Sequence, residues 1–120
     1  MSSSKRFAML CFVSLLGLSL VAPCYAANKW GTCNIVDVMV HSRDRLHISC
    51  HNKPDGYTFF AVPMSSAEFV NQVLSIATAA IVYKKTVNVL YNPSDTTTGP
   101  TFGCDAVGCR PLLGIALNPN

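Results

Sequence analysis

Four cysteines constrain this chain more than any other feature. Cys33, Cys50, Cys104 and Cys109 punctuate its last 94 or so residues, and Cys11 and Cys24 precede them. An even number of cysteines in a short exported domain reads as a disulfide framework. Export is indicated by the first residues. Lys5 and Arg6 form a basic start, Phe7 to Val21 is an uncharged apolar run of about 15 residues, Pro23 breaks it, and small residues follow at Ala26 and Ala27. This order is that of a secretory signal peptide. A membrane-spanning helix needs roughly 20 apolar residues. A lipidated Cys24 is disfavoured by Pro23, because lipoprotein signals place a small residue there. Cleavage is expected after Ala26. Residues 1–26 then form the leader, and 27–120 form one secreted or periplasmic domain.

Cleavage removes Cys11 and Cys24, so four cysteines remain for two bridges. Three connectivities are possible in principle. Cys104 and Cys109 lie close in sequence with Gly103 and Gly108 beside them, which suits a tight bridged loop. The preferred pairing therefore joins Cys104 to Cys109 and Cys33 to Cys50, the latter worth roughly 3 kcal/mol by loop entropy. The leader also inflates the basic balance. Without Lys5 and Arg6, the nine Lys and Arg fall to seven against six Asp and Glu. That leaves no basic footprint for nucleic acid.

Period separates the segments. Val36, Val38 and Val40 alternate with Ile35, Asp37 and Met39 in a strand from Gly31 to His41. His41 to Arg45 is turn-like, and Arg45 to Cys50 alternates again, which predicts a β-hairpin. Pro54-Asp55-Gly56 signals a turn, Tyr57 to Val62 a third strand ended by Pro63. Phe69, Val70, Val73, Leu74, Ala77, Ala80 and Ile81 then recur at helical spacing, on one face of a helix of about five turns. Ser65 and Glu68 are spaced as a capping box, and Lys84 and Lys85 suit the negative helix end. The opposite face (Asn71, Gln72, Ser75, Thr78, Ala79) carries no charge, which suggests contact with a second surface. Thr86 to Tyr91 and Leu112 to Leu117 are the last strands, separated by a polar loop from Asn92 to Gly103. The order of strands with one helix between the third and fourth is that of a five-stranded, OB-fold-like antiparallel barrel, mainly β. An α+β sandwich is the competing arrangement.

Catalytic sets are not evident. Glu68 is the only glutamate and the aspartates are scattered; Ser42 or Ser49 beside His41 or His47 is a pairing any short sequence offers. His47 and His51, four apart on a strand, would lie about 13 Å apart and face solvent. There is no phosphate loop, HExxH or zinc-type spacing, so no cofactor or metal is expected. The expected role is recognition without catalysis. Trp30, Tyr57, Tyr83, Tyr91, Asn88, Asn92, Ser42 and the Thr96–Thr98 run supply rings, hydroxyls and amides of the kind that hold sugars.

The pattern from Trp30 to Leu117 resembles the binding (B) subunits of bacterial A–B toxins of the subtilase cytotoxin, typhoid toxin and pertussis-like type. The resemblance rests on the leader, the hairpin ending in Cys50, the Tyr57–Val62 strand, the apolar helix running into a strand through Tyr83-Lys84-Lys85-Thr86-Val87-Asn88-Val89, and the late CxxxxC at Cys104 and Cys109. It implies an OB-fold protomer in a homopentamer, helices lining the pore, a catalytic A-type partner chain and a cell-surface glycan, often sialylated, as ligand. A serine near the first turn contacts the sialic acid carboxylate in that family, and Ser42 stands at the matching position. Arg43 beside it can neutralise a carboxylate, and Ser42, Arg43 and Asp44 form the candidate glycan-binding set. The threonine-rich loop and the chain past Cys109 depart from the family pattern. The rival reading is a periplasmic or secreted protein of the same fold that acts by protein–protein contact.

The leader reading predicts that the exported protein begins at Ala27; intact-mass measurement and N-terminal sequencing of secreted material check it, and a chain starting at Met1 would overturn it.

Overall fold

The computed structural model describes residues 27–42 and 44–119; the expected leader, with Cys11 and Cys24, and Arg43 lie outside the described residues. Seven strands and one α-helix follow in the order β1 (Lys29–Cys33), β2 (Ile35–His41), β3 (Arg45–Cys50), β4 (Phe59–Pro63), α1 (Ala67–Val82), β5 (Val87–Tyr91), β6 (Cys109–Pro111) and β7 (Gly114–Leu117). They form a three-stranded sheet, β1-β5-β7, and a four-stranded sheet, β2-β3-β4-β6. All pairs are antiparallel except β4 with β6. The protein is mainly β with one helix, as the periodicities imply. The expected five-stranded closed barrel is not what forms, and the helix lies between the fourth and fifth strands.

The reason is that two expected strands each change sheet partway. The Gly31–His41 stretch breaks at Asn34: Cys33 pairs with Val87 in one sheet, and Ile35 pairs with Cys50 in the other. Asn52 braces this corner from both sides, accepting from the Asn34 N–H at 2.8 Å and donating to the Thr32 carbonyl. The C-terminal stretch breaks between Leu112 and Leu113. The Leu112 N–H bonds the Ala61 carbonyl of β4, and the Leu113 N–H bonds the Leu90 carbonyl of β5, each at 2.8 Å. The apolar residues continue through both corners, so the local pattern does not report them.

Both preferred disulfides are present, Cys33–Cys50 and Cys104–Cys109. The first straddles the Asn34 corner. The core lies between the sheets and α1, and is built from Leu46, Ile48, Phe60, Val62, Val87, Val89 and Tyr91 with Val70, Val73, Ala77 and Ala80 of the helix. The helix packs against β2, β4 and β7 and so touches both sheets. Its buried stripe is narrower than expected. Leu74 and Ile81 are exposed, because the small Ala77 and Ala80 form the close approach and the flanking positions fall outside it.

The capping box does not form. The helix begins at Ala67 with Ser66 as N-cap, and no side chain caps it. This start puts Phe69, not Glu68, at the third helical position, so Ser65 and Glu68 are out of register for reciprocal bonds. At the other end Lys84 adopts a left-handed φ of 54° and Lys85 N–H bonds the Ala80 carbonyl at 2.8 Å, which closes the helix. Among the described residues no helix is long and apolar enough to cross a membrane.

Phe60 sits fully buried against the Tyr91 ring, centroids 4.8 Å apart. Phe60→Ala is expected to destabilise the domain by about 3–5 kcal/mol, and replacement of Cys33 and Cys50 by alanine by about 3 kcal/mol, both read from urea midpoints.

Candidate functional site

The β2–β3 hairpin carries the candidate residues at its tip. The turn closes through the Asp44 N–H, which donates to the His41 carbonyl at 3.1 Å. The Asp44 carbonyl accepts from the Met64 N–H at 3.0 Å, which ties the tip to the segment entering α1. Ser42 and Asp44 are both exposed in this braced turn. Arg43 lies outside the described residues. The Asp44 carboxylate is 3.7 Å from the Arg45 guanidinium, whose side chain is largely covered. What covers it is the bridged C-terminal loop. A Cβ at Gly103 would fall 2.5 Å from Arg45 Nη1, and Gly103 has a φ of 86°, so only glycine fits this approach.

Behind the tip, one face of the four-stranded sheet carries an aromatic row. His41 and His47 have ring centroids 5.3 Å apart, and His47 lies 4.8 Å from Phe59. The expectation of solvent-facing histidines is corrected for His47, which is 7% exposed. Ala61 on the same face packs under the Cys104–Cys109 bridge and Phe102, so this face of the sheet is partly roofed. His51 lies past the end of β3 and is exposed. Burial holds the His47 pKa below the ordinary 6.5, helped by Arg45 and His41 and opposed by Asp37. The His41 Nε2 is buried without a hydrogen-bond partner among the described residues. The Ser49 hydroxyl donates to Asp37 at 2.7 Å, so it is engaged by a carboxylate and not by a histidine. Among the described residues no three His, Cys, Asp or Glu side chains cluster as metal ligands would.

A second polar cluster was not legible in the sequence. Arg110 is 4% exposed, with no carboxylate partner among the described residues. Its donors go to the carbonyls of Pro93, Ala106 and Cys109 and to the Tyr57 hydroxyl, and its guanidinium lies 4.0 Å over the Tyr57 ring. It staples the Asn92–Gly108 loop to the sheet. The one available signal was an arginine set between Cys109 and Pro111 in an apolar stretch. Beside it Tyr91 donates to Asp55, which also pairs with Lys29 at 2.9 Å. The Tyr91 bond is the main cause of the lowered Asp55 pKa, and burial is the main cause of the raised Tyr91 pKa. Tyr91, expected among exposed rings, is therefore core, and Tyr57 is half-buried; Tyr83 and Trp30 are the exposed ones.

The chain was compared with protein families, curated proteins and solved structures, and none matches.

The depressed His47 pKa sets a sign. The folded state binds a proton at His47 less readily than the unfolded chain, so the stability this neutral histidine supports is full above 6.5 and is lost as pH falls through the lower folded-state value. His47→Gln is expected to flatten the fall in thermal midpoint between about pH 7 and about pH 5; an unchanged slope would show that His47 does not titrate across this window.

Proposed function

We propose that this protein is a secreted or periplasmic, non-enzymatic receptor-binding subunit that recognises cell-surface glycans through its β2–β3 hairpin tip, in the manner of the toxin B subunits it resembles. The braced turn carries this reading. Ser42 offers a hydroxyl from a turn whose backbone is held at both ends by hydrogen bonds to His41 and Met64. A preorganised turn loses little entropy on binding. The Arg45 guanidinium lies next to Asp44 and supplies positive charge near the tip, which suits the carboxylate of a sialylated glycan. Arg43 belongs to the proposed set by its place in the sequence. The two sheets, joined at corners with a single helix against both, fit an opened OB-type protomer.

Assembly into a homopentamer, with a separate catalytic chain as partner, is part of the same reading. The nearly uncharged outward face of α1 supports it, as does β2, an edge strand that exposes Val36, Met39 and Val40. Exposed apolar edges are otherwise blunted in monomers by charge or proline. The same edge favours the rival reading, contact with another protein and no sugar affinity.

Ser42→Ala is expected to remove sialylated-glycan binding on an array by tenfold or more while the thermal midpoint stays unchanged. The mass from light scattering is expected at about five protomers. A folded protein with a blank array and a monomeric mass would sink the proposal and favour the rival.

A further inference from the structure

The outer face of the three-stranded sheet is built around Trp30. Trp30, Leu90 and Gly114 stand opposite one another across β1, β5 and β7. A Cβ placed on Gly114 would meet Leu90 Cβ at 3.2 Å and Trp30 Cη2 at 3.3 Å. The far edge of the indole therefore reaches across the central strand to the third. The far edge of the ring lies beside Leu90 and over the bare glycine. Trp30 is nonetheless 53% exposed, so much of the indole is open to water. A large ring held at its far edge in this way offers an exposed aromatic surface.

One pleat along the same face stands a polar row. The Thr32 hydroxyl donates to Asn88 Oδ1 at 3.2 Å, and Asn118 Nδ2 donates to Thr86 Oγ1 at 3.1 Å and to Asn88 Oδ1 at 3.4 Å. Two of these bonds use the Asn88 oxygen, which orients its amide and leaves the Nδ2 donors without a partner among the described residues. Two residues along a strand span about 7 Å, close to the breadth of one sugar ring. The residues that β1, β5 and β7 place on this face (Trp30, Thr32, Asn88, Leu90, Gly114 and Ala116) carry no charge.

The geometry points to a saccharide subsite here: a neutral hexopyranose stacks its C–H face on Trp30 and hydrogen-bonds its hydroxyls to Thr32 and Asn88. The electron-rich indole face attracts the polarised C–H bonds of the sugar. The free amide donors and the threonine oxygen match hydroxyls, and the lack of charge matches a neutral ring in preference to an acidic one. The subsite lies on the other sheet from the hairpin tip and does not rest on that reading.

Trp30 is the sole tryptophan of the chain, so its fluorescence reports the site directly. Lactose titrated into the mature full-length protein is expected to shift the emission and shield it from acrylamide, saturating at millimolar concentration. Saturation-transfer NMR on lactose gives the second readout. Asn88→Ala keeps the fluorophore and should weaken lactose about fivefold, the loss of one neutral hydrogen bond. Trp30→Ala should abolish saturation transfer while circular dichroism stays native, and Ser42→Ala should leave both readouts as in the parent. The inference is overturned if lactose changes neither readout in folded protein, or if Trp30→Ala retains saturation transfer. It is likewise overturned if the emission follows protein concentration alone and Trp30→Ala lowers the assembled mass, which would make a second copy of the chain the occupant.

Discussion

The Asn34 corner governs this fold. There the chain leaves one sheet and enters the other within a single residue, and three kinds of restraint converge on it. The Cys33–Cys50 bridge fixes the end of β1, in one sheet, to the end of β3, in the other. The Asn52 side chain bonds backbone on both sides of the bend. The His51 N–H completes the bracing on the Asn34 carbonyl at 2.9 Å. A domain of this size buries a modest core, and a covalent link at the sheet junction reduces the unfolded ensemble where two separate layers must find each other. The second crossing, at Leu112 and Leu113, has no covalent help and relies on two backbone bonds and the buried Leu112.

With the layers joined, each outer face takes a distinct character. The four-stranded sheet is roofed near its middle by the bridged loop, which converts an alternating strand into one buried on both sides and takes His47 with it. Its hairpin tip projects beyond the roof and carries Ser42 and Asp44. Among the described residues the three-stranded sheet has no roof, and its outer surface is left to Trp30 and the amide row. The helix closes the remaining side of the core with a stripe of small residues, leaving outward a surface charged only at Glu68 in its first turn.

The sequence was legible where a local rule acts alone. The hairpin turn between His41 and Arg45, the helical period from Phe69 to Ile81 and the disulfide pairing by spacing all appear as read. It was not legible where distant segments meet. β2 contains a bulge at Val36, where the register to β3 slips by one residue. The bulge puts both Ile35 and Val38 against the core and leaves Val36 exposed, which simple alternation hides. The burial of His47 depends on a loop more than fifty residues away, and that of Arg110 on carbonyls from the same loop. At the candidate site, the exposure of Ser42 and Asp44 followed from turn chemistry, whereas the part taken by Arg45 and Gly103 required the fold. The posture of Trp30 depends on the register of three strands and on a glycine in the last of them.

The anchoring of Arg110 has a further consequence. Guanidinium stays charged at every physiological pH, and its acceptors here are peptide carbonyls and a tyrosine hydroxyl. The long loop is thus moored by a single buried charge spread over neutral acceptors, so its hold does not depend on a second ionised group.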